Sequence, residues 1–184
     1  VVNTIFKANQ LAIFEVEELK THGGSLRIYA CHQAKIASKL TGSVQEIIEK
    51  ENKFGLGKLE TYQSFQSKVD HIKNKFLNLL IGWNFEGKKV VAYGAAAKGN
   101  TMLNYCGVRT DLLHFIADAS PYKQNKYSPG MHIPVATEDE LKKYKPDYII
   151  ILPSNLKDEI SHQLSYVREW NCKFVTAIPE IVIF

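Results

Sequence analysis

Long apolar stretches are missing from this sequence. The most hydrophobic runs, residues 76–83 and 148–153, fall far short of the roughly 20 residues that a helix needs to cross a bilayer, so no membrane association is expected. Cysteine is sparse. Cys31, Cys106 and Cys172 are an odd number at wide spacing without a C-x-x-C pair, so neither a disulfide framework nor a zinc knuckle is indicated, and a reducing cytoplasm is the expected setting. No block of five or more basic residues occurs. The 23 Lys and Arg against 19 Asp and Glu leave a net charge of +4 spread along the chain, a weak attraction for anions and no sign of a nucleic-acid partner. No charged, apolar and small-residue leader opens the sequence. None of the six histidines stands at metal-ligand spacing, and no Ser or Cys has a general base at a legible interval, so neither a metal site nor a nucleophilic triad is indicated.

What is present is enough to fold. With 184 residues, 45% hydrophobic and 23% charged, the chain suits one ordinary domain, or one domain and part of a neighbour. It begins at Val1 without Met, and Val1, Val2, Ile5 and Phe6 already follow helical spacing, which reads as a piece entered partway through an element. Residues 11–19 and 25–31 alternate as strands around His22-Gly23-Gly24, an antiparallel hairpin. Residues 43–53 read as a helix with Ser43 and Glu46 as a capping box and Gly55 beyond its end. Leu59, Tyr62, Phe65, Val69, Ile72, Phe76 and Leu79 then recur at intervals of three and four, the apolar stripe of a long helix expected to face a core.

After Gly87 the texture changes to strands alternating with helices. Strands are expected at 89–93, 112–117, 147–152 and 173–177, and helices at 97–106, 138–143 and 155–170. Near-continuous apolar strands in that order call for a Rossmann-like α/β fold, a parallel sheet with helices on both faces, preceded by the hairpin and a helical connector. The first strand runs into Gly94-Ala95-Ala96-Ala97-Lys98-Gly99-Asn100. A small-residue turn at a helix start gathers backbone N–H groups and the positive end of the helix dipole, which suits phosphate. Gly94 and Gly99 match the outer glycines of the dinucleotide fingerprint G-x-G-x-x-G, whereas Ala96 takes the middle place. Asn100 replaces the lysine of a P-loop, which argues against ATP hydrolysis. Asp118, 24 residues after Gly94, ends the next strand where such folds set a carboxylate on a ribose. Residues 120–132 read as a basic loop that either closes on a phosphate or simply crosses through solvent. Ser154, Asn155 and Lys157 follow the third strand, with Asn155 also a natural N-cap. Loops at the carboxyl ends of parallel strands converge, so these groups are expected around one crevice.

Four segments together resemble the C-terminal region of the S-adenosylmethionine-dependent sugar-nucleotide C-methyltransferases. They are Thr21-His22-Gly23-Gly24-Ser25-Leu26-Arg27, residues 93–105 with the glycine-alanine-lysine core from Gly94 to Asn100, residues 123–134 with Pro129-Gly130 and Ile133-Pro134, and residues 145–158 with Leu152-Pro153-Ser154-Asn155-Leu156-Lys157-Asp158. The resemblance implies a division into residues 1–32, the tail of an upstream catalytic domain; 33–86, a helical connector; and 87–184, a Rossmann-like C-terminal domain. It implies a thymidine-diphosphate sugar as ligand, held by Gly94, Ala95, Ala96, Ala97, Lys98, Gly99, Asn100, Asp118, Ser154, Asn155 and Lys157. S-adenosylmethionine is implied for the intact enzyme but not as a ligand of this region. The alternatives are an NAD(P)-binding Rossmann protein and a non-catalytic structural or interaction domain.

The family's zinc-binding cysteines, donor loop and tyrosine-x-glutamate-histidine base are not in these residues, so the chain is expected to supply binding and no catalytic group. The purified chain, given S-adenosylmethionine and a 4-keto sugar nucleotide, is expected to yield no methylated product; turnover detected by mass spectrometry would contradict this.

Overall fold

The computed structural model describes residues 1–36 and 41–184. These form two compact units, Val1–Gln66 and Ser67–Phe184.

In the first unit α1 (Val2–Ala8) leads into the expected antiparallel hairpin of β1 (Leu11–Leu19) and β2 (Ser25–His32). The register of β1 shifts between Ile13 and Glu15. That irregularity turns backbone groups of β1 toward the residues that start α2 (Ser43–Phe54): the Phe14 carbonyl accepts from the Thr41 N–H at 3.0 Å, and the Val16 N–H donates to Ser43 Oγ at 3.0 Å. The capping box expected at Ser43 is therefore not formed. Gly42 holds the N-cap position with no side-chain bond, and the serine oxygen serves the strand instead.

The long helix α3 (Leu59–Phe85) begins in this unit. Its expected apolar stripe divides in two. Leu59, Tyr62 and Phe65 are exposed, while Phe76 is fully buried and Leu79 is partly buried against the same core. Periodicity is the same in both halves, but among the described residues the buried hydrophobic side chains of the first unit are Ala12 and Ile13 alone, too little to cover the early part of the stripe.

The second unit is built on a seven-stranded sheet. Its elements are β3 (Val90–Tyr93), α4 (Ala97–Cys106), β4 (Ile116–Ala117), β5 (Lys126–Tyr127), β6 (Pro134–Ala136), α5 (Asp139–Tyr144), β7 (Tyr148–Ile151), α6 (Lys157–Gln163), β8 (Lys173–Thr176) and β9 (Val182–Ile183). The sheet order is β5-β6-β4-β3-β7-β8-β9, in which β6, β4, β3, β7 and β8 run parallel and the two edge strands run antiparallel. The parallel core follows the order third, second, first, fourth, fifth, so the direction of winding reverses between β3 and β7, the switch point beside which such sheets open a crevice.

Alternation along the strands explains helices on both faces. Val90 and Ala92 pack with Phe76, Leu80 and Trp83 of α3 and Leu103 of α4. Their neighbours Val91 and Tyr93 pack with Leu141 of α5, Ile160 of α6, Leu164 and Val167. Each fully buried side chain of this size contributes roughly 1.5–3 kcal/mol, which is why both faces are covered. On the second face the Tyr93 hydroxyl donates to Glu138 Oε2 at 3.2 Å, the Tyr166 hydroxyl donates to Glu138 Oε1 at 3.1 Å, and Gln163 Nε2 donates to both Tyr93 and Glu138. Burial first, and then the Glu138 charge, push the Tyr93 hydroxyl up to about 12 and raise that of Tyr166 as well, so both remain donors that tie three elements together.

Two expected elements are shorter. The strand expected at 112–117 is reduced to Ile116–Ala117, because Leu112 and Leu113 donate to the Arg109 carbonyl in a turn. The helix expected at 155–170 is broken into a 3₁₀ turn at Ser154–Leu156, α6, and a second 3₁₀ segment at Ser165–Trp170. Leu156, not Asn155, occupies the N-cap position of α6, and no side chain caps it.

Candidate functional site

β3 ends at Tyr93 and the chain turns sharply through Gly94, whose φ is +84°. A Cβ there would lie 2.7 Å from Pro153 Cδ, and a Cβ on Gly99 would lie 2.5 Å from Leu152 Cβ. The two outer glycines thus let α4 start against the end of β7. No other residue fits either place without displacing the loop or the helix.

The amides ahead of α4 are engaged within the protein. Gly94 N–H donates to the Ala117 carbonyl at 2.8 Å, Ala96 N–H to the Gly94 carbonyl at 2.7 Å, and Ala95 N–H to Asp118 Oδ2 at 2.7 Å. The first turn of α4, starting at Ala97, is where backbone donors lack an upstream carbonyl of their own helix.

Asp118 is the centre of this region, with its side chain 8% exposed. Its Oδ1 accepts from Ser120 N–H at 2.8 Å. Its Oδ2 accepts from Ala95 N–H at 2.7 Å and from Lys123 Nζ at 3.1 Å, and its carbonyl accepts from Gln124 Nε2 at 2.9 Å. One carboxylate therefore fastens the segment after β4 to the glycine loop and holds a lysine beside that loop. A ribose hydroxyl would have to compete with these three donors for the same two oxygens.

The segment expected as an irregular basic loop is ordered at both ends and holds a strand. Lys123 and Gln124 N–H donate to the Ser120 carbonyl, Asn125 N–H donates to Val135, and β5 pairs with β6. Ser128 N–H donates to the Ile133 carbonyl at 2.8 Å while Ile133 N–H donates to Ser128 Oγ at 3.0 Å. Asn104 of α4 donates through Nδ2 to the Pro129 carbonyl at 2.9 Å, which fastens the far end of the segment to the helix.

Between the helix and this segment lies a cleft of about 610 Å³, in the range of small-molecule sites. Ala95, Ala96, Ile116, Val135 and Leu152 give it an apolar floor, and Ala97, Asn100 and Thr101 form the helix side. Tyr122, Lys123, Lys126, Tyr127, Ser128 and Pro129 form the opposite wall. Asn100 Oδ1 is buried beside the cleft without a hydrogen-bond partner.

Of the residues expected from the sequence, Ala95, Ala96, Ala97 and Asn100 line this cleft. Gly94, Gly99 and Asp118 shape it from behind. Lys98, Asn155 and Lys157 are exposed, Ser154 is half-buried, and none of these four is a lining residue. Lys157 Nζ instead lies 5.8 Å from the centre of the Phe184 ring. Sequence reasoning missed Thr101, Tyr122, Tyr127 and Ser128. The available signal was the mirrored pair Tyr122-Lys123 and Lys126-Tyr127, aromatic and basic residues interleaved within a few positions.

Lys126, the donors that Lys123 keeps beyond its bond to Asp118, and a helix amino end make the cleft suited to an anion. The positively charged sulfonium of S-adenosylmethionine does not match it, and the carboxylate at the end of β4 is already engaged, so no role for that group is derived in this cleft. Among the described residues no cluster of three or more His, Cys, Asp and Glu side chains could hold a metal ion, and no helix is long and apolar enough to cross a membrane. A second hollow of about 430 Å³, lined by Lys142, Lys145, Tyr166, Glu169 and Trp170, is narrowed by Lys142 lying over the Tyr166 ring.

Residues 20–179 match the family model described as the C-methyltransferase C-terminal domain. The match spans most of the sequence, and the chain belongs to that family. It is 29% identical over 177 residues to the C-methyltransferase NovU of Streptomyces niveus, an alignment that takes in 96% of this chain and 42% of that protein. The chain thus spans about two fifths of the length of this curated relative. Among solved structures, the UDP-D-quinovosamine 4-dehydrogenase of Vibrio fischeri is similar over 50% of this chain and 79% of that one, with a TM-score of 0.38 and 18% identity.

Replacing Asp118 by Ala would leave the Ala95 and Ser120 amides without their acceptor. At about 1–3 kcal/mol for each unsatisfied buried group, and with little added for the half-exposed Lys123, a loss of at least about 2 kcal/mol is expected in urea denaturation. An unchanged midpoint would show that the carboxylate does not hold the two segments together.

Proposed function

We propose that this chain is the substrate-holding C-terminal portion of a C-methyltransferase that acts on a 4-keto deoxysugar nucleotide, with the nucleotide's diphosphate in the cleft between α4 and β5. The observation that carries this reading is the convergence on one cleft of the α4 amino end, Lys123 and Lys126, with Lys123 held in place by Asp118. A diphosphate offers several anionic oxygens, and two ammonium groups with backbone donors complement it. Family membership supports the reaction class, and the lysine wall supports a charged ligand.

In the intact enzyme S-adenosylmethionine would supply the methyl group, and the base that removes the proton next to the ketone would come from the upstream part. The residues of this chain bind and orient. Fixing the diphosphate limits the positions of the sugar ring, and such restraint converts an encounter between reactants into a positioned one. A packing partner for the first unit is supported by its exposed Val1, Ile5, Phe54, Leu59 and Phe65, an unusual amount of apolar surface for a small unit in water. The dinucleotide alternative is less favoured: Ala96 stands at the middle glycine position, and Asp118 is engaged with its own chain.

Calorimetric titration with a thymidine-diphosphate sugar and with NAD tests the proposal. Binding of the sugar nucleotide alone is expected, weakened about tenfold by Lys123→Ala, as follows from losing a hydrogen bond to a charged group. Lys98→Ala, outside the cleft lining, is expected to have the smaller effect. Binding of NAD in preference to the sugar nucleotide would overturn the reading.

A further inference from the structure

The cleft contains more than an anion needs. Tyr122 and Tyr127 line it while remaining 83% and 69% exposed. Large rings left in water are usual on loose loops, but this segment is not loose. Asp118 holds its start, pairing with β6 holds its middle, and Asn104 holds its end at Pro129. The backbone is fixed, yet neither ring is covered.

Tyr122, Lys123, Lys126 and Tyr127 all line this side of the cleft, so the wall presents both aromatic rings and cations to it. A nucleotide has the same composition, a flat base joined to an anionic phosphate chain. Two of the polar side chains nearby are engaged with backbone, while Asn100 Oδ1, which is not, belongs to the helix side and not to this wall. Ser128 Oγ accepts from Ile133 N–H at 3.0 Å, and Thr101 Oγ1 donates to the Ala97 carbonyl at 3.1 Å. The wall therefore offers stacking surface more than groups to read the hydrogen-bonding edge of a base.

We infer that Tyr122 and Tyr127 form a stacking wall for the nucleobase of a nucleoside diphosphate, and that this wall accepts different bases with similar affinity. The inference rests on the reading of the cleft as a diphosphate site and adds the nucleoside to it. Stacking on an aromatic side chain depends on the face of a base, which every base has. The diphosphate supplies the charge-dependent part of binding and the two rings supply a part that salt affects little.

The purified chain would be titrated with uridine, thymidine and adenosine diphosphates and with inorganic pyrophosphate, for the wild type, Tyr122→Ala/Tyr127→Ala, Tyr122→Phe/Tyr127→Phe and Lys123→Ala. Because both rings are exposed, thermal unfolding of the two tyrosine variants is expected to match the wild type. The three nucleoside diphosphates are expected within about fivefold of one another and about tenfold tighter than pyrophosphate, with the advantage lost in the double alanine variant and kept in the double phenylalanine variant. If nucleoside diphosphates bind no tighter than pyrophosphate, while Lys123→Ala weakens both, the stacking wall is refuted and the diphosphate site stands. If one nucleoside diphosphate alone binds tightly, base tolerance is refuted. If none of the four binds, the diphosphate reading fails and this inference with it.

Discussion

Asp118 stands at the end of β4, where two segments distant in sequence meet, and its buried carboxylate accepts hydrogen bonds from both. On one side is the Ala95 amide of the glycine loop, and on the other are the Ser120 amide and the Lys123 ammonium. A carboxylate with two oxygens can accept more than two bonds, and this one accepts three, which compensates for removing its charge from water. Without that acceptor the loop and the wall would have no common anchor at the strand ends. The cleft exists because both are drawn to one atom group, and the lysine is placed there by the same bond.

The sheet decides where this happens. The reversal of winding beside β3 opens a crevice at the carboxyl ends of the strands, and α4 can begin there only because Gly94 and Gly99 admit Pro153 and Leu152 so closely. The two hydrophobic layers that cover β3 and β7 keep the strand ends fixed relative to each other. On the face away from the cleft, Glu138 gathers Tyr93, Gln163 and Tyr166, so Tyr93 secures the strand from behind at the residue before the turn. A site made of loops thus rests on rigid supports, and the chain's membership of the C-methyltransferase C-terminal domain family gives that support a chemical setting.

The parallel sheet was legible because Val90–Tyr93, Tyr148–Ile151 and Lys173–Thr176 are apolar runs flanked by helical periodicity, a pattern that few other folds produce. The hairpin was legible from alternation around His22-Gly23-Gly24. The cap at Ser43 was not, because the competing demand came from Val16, a donor released by an irregularity in β1 that no local pattern announces. Periodicity also could not show that Leu59, Tyr62 and Phe65 lack a surface to bury against, since it reports a face and not its partner. At the cleft, the glycine loop was visible as a motif, while Tyr127 enters through β5, a two-residue strand too short to register, and Tyr122 through the turn after Ser120 that precedes it. The glycine loop suggests Lys98 and the convergence of strand ends suggests Lys157, but both residues are exposed and neither lines the cleft.

The most direct measurement is an assigned amide NMR spectrum of the chain recorded during titration with thymidine diphosphate. The account predicts that shifts concentrate at Ala97, Asn100 and Thr101 on the helix side and at Tyr122, Lys123, Lys126 and Tyr127 on the wall. Shifts gathered instead around Lys142, Lys145 and Trp170, with the α4 residues unmoved, would contradict it.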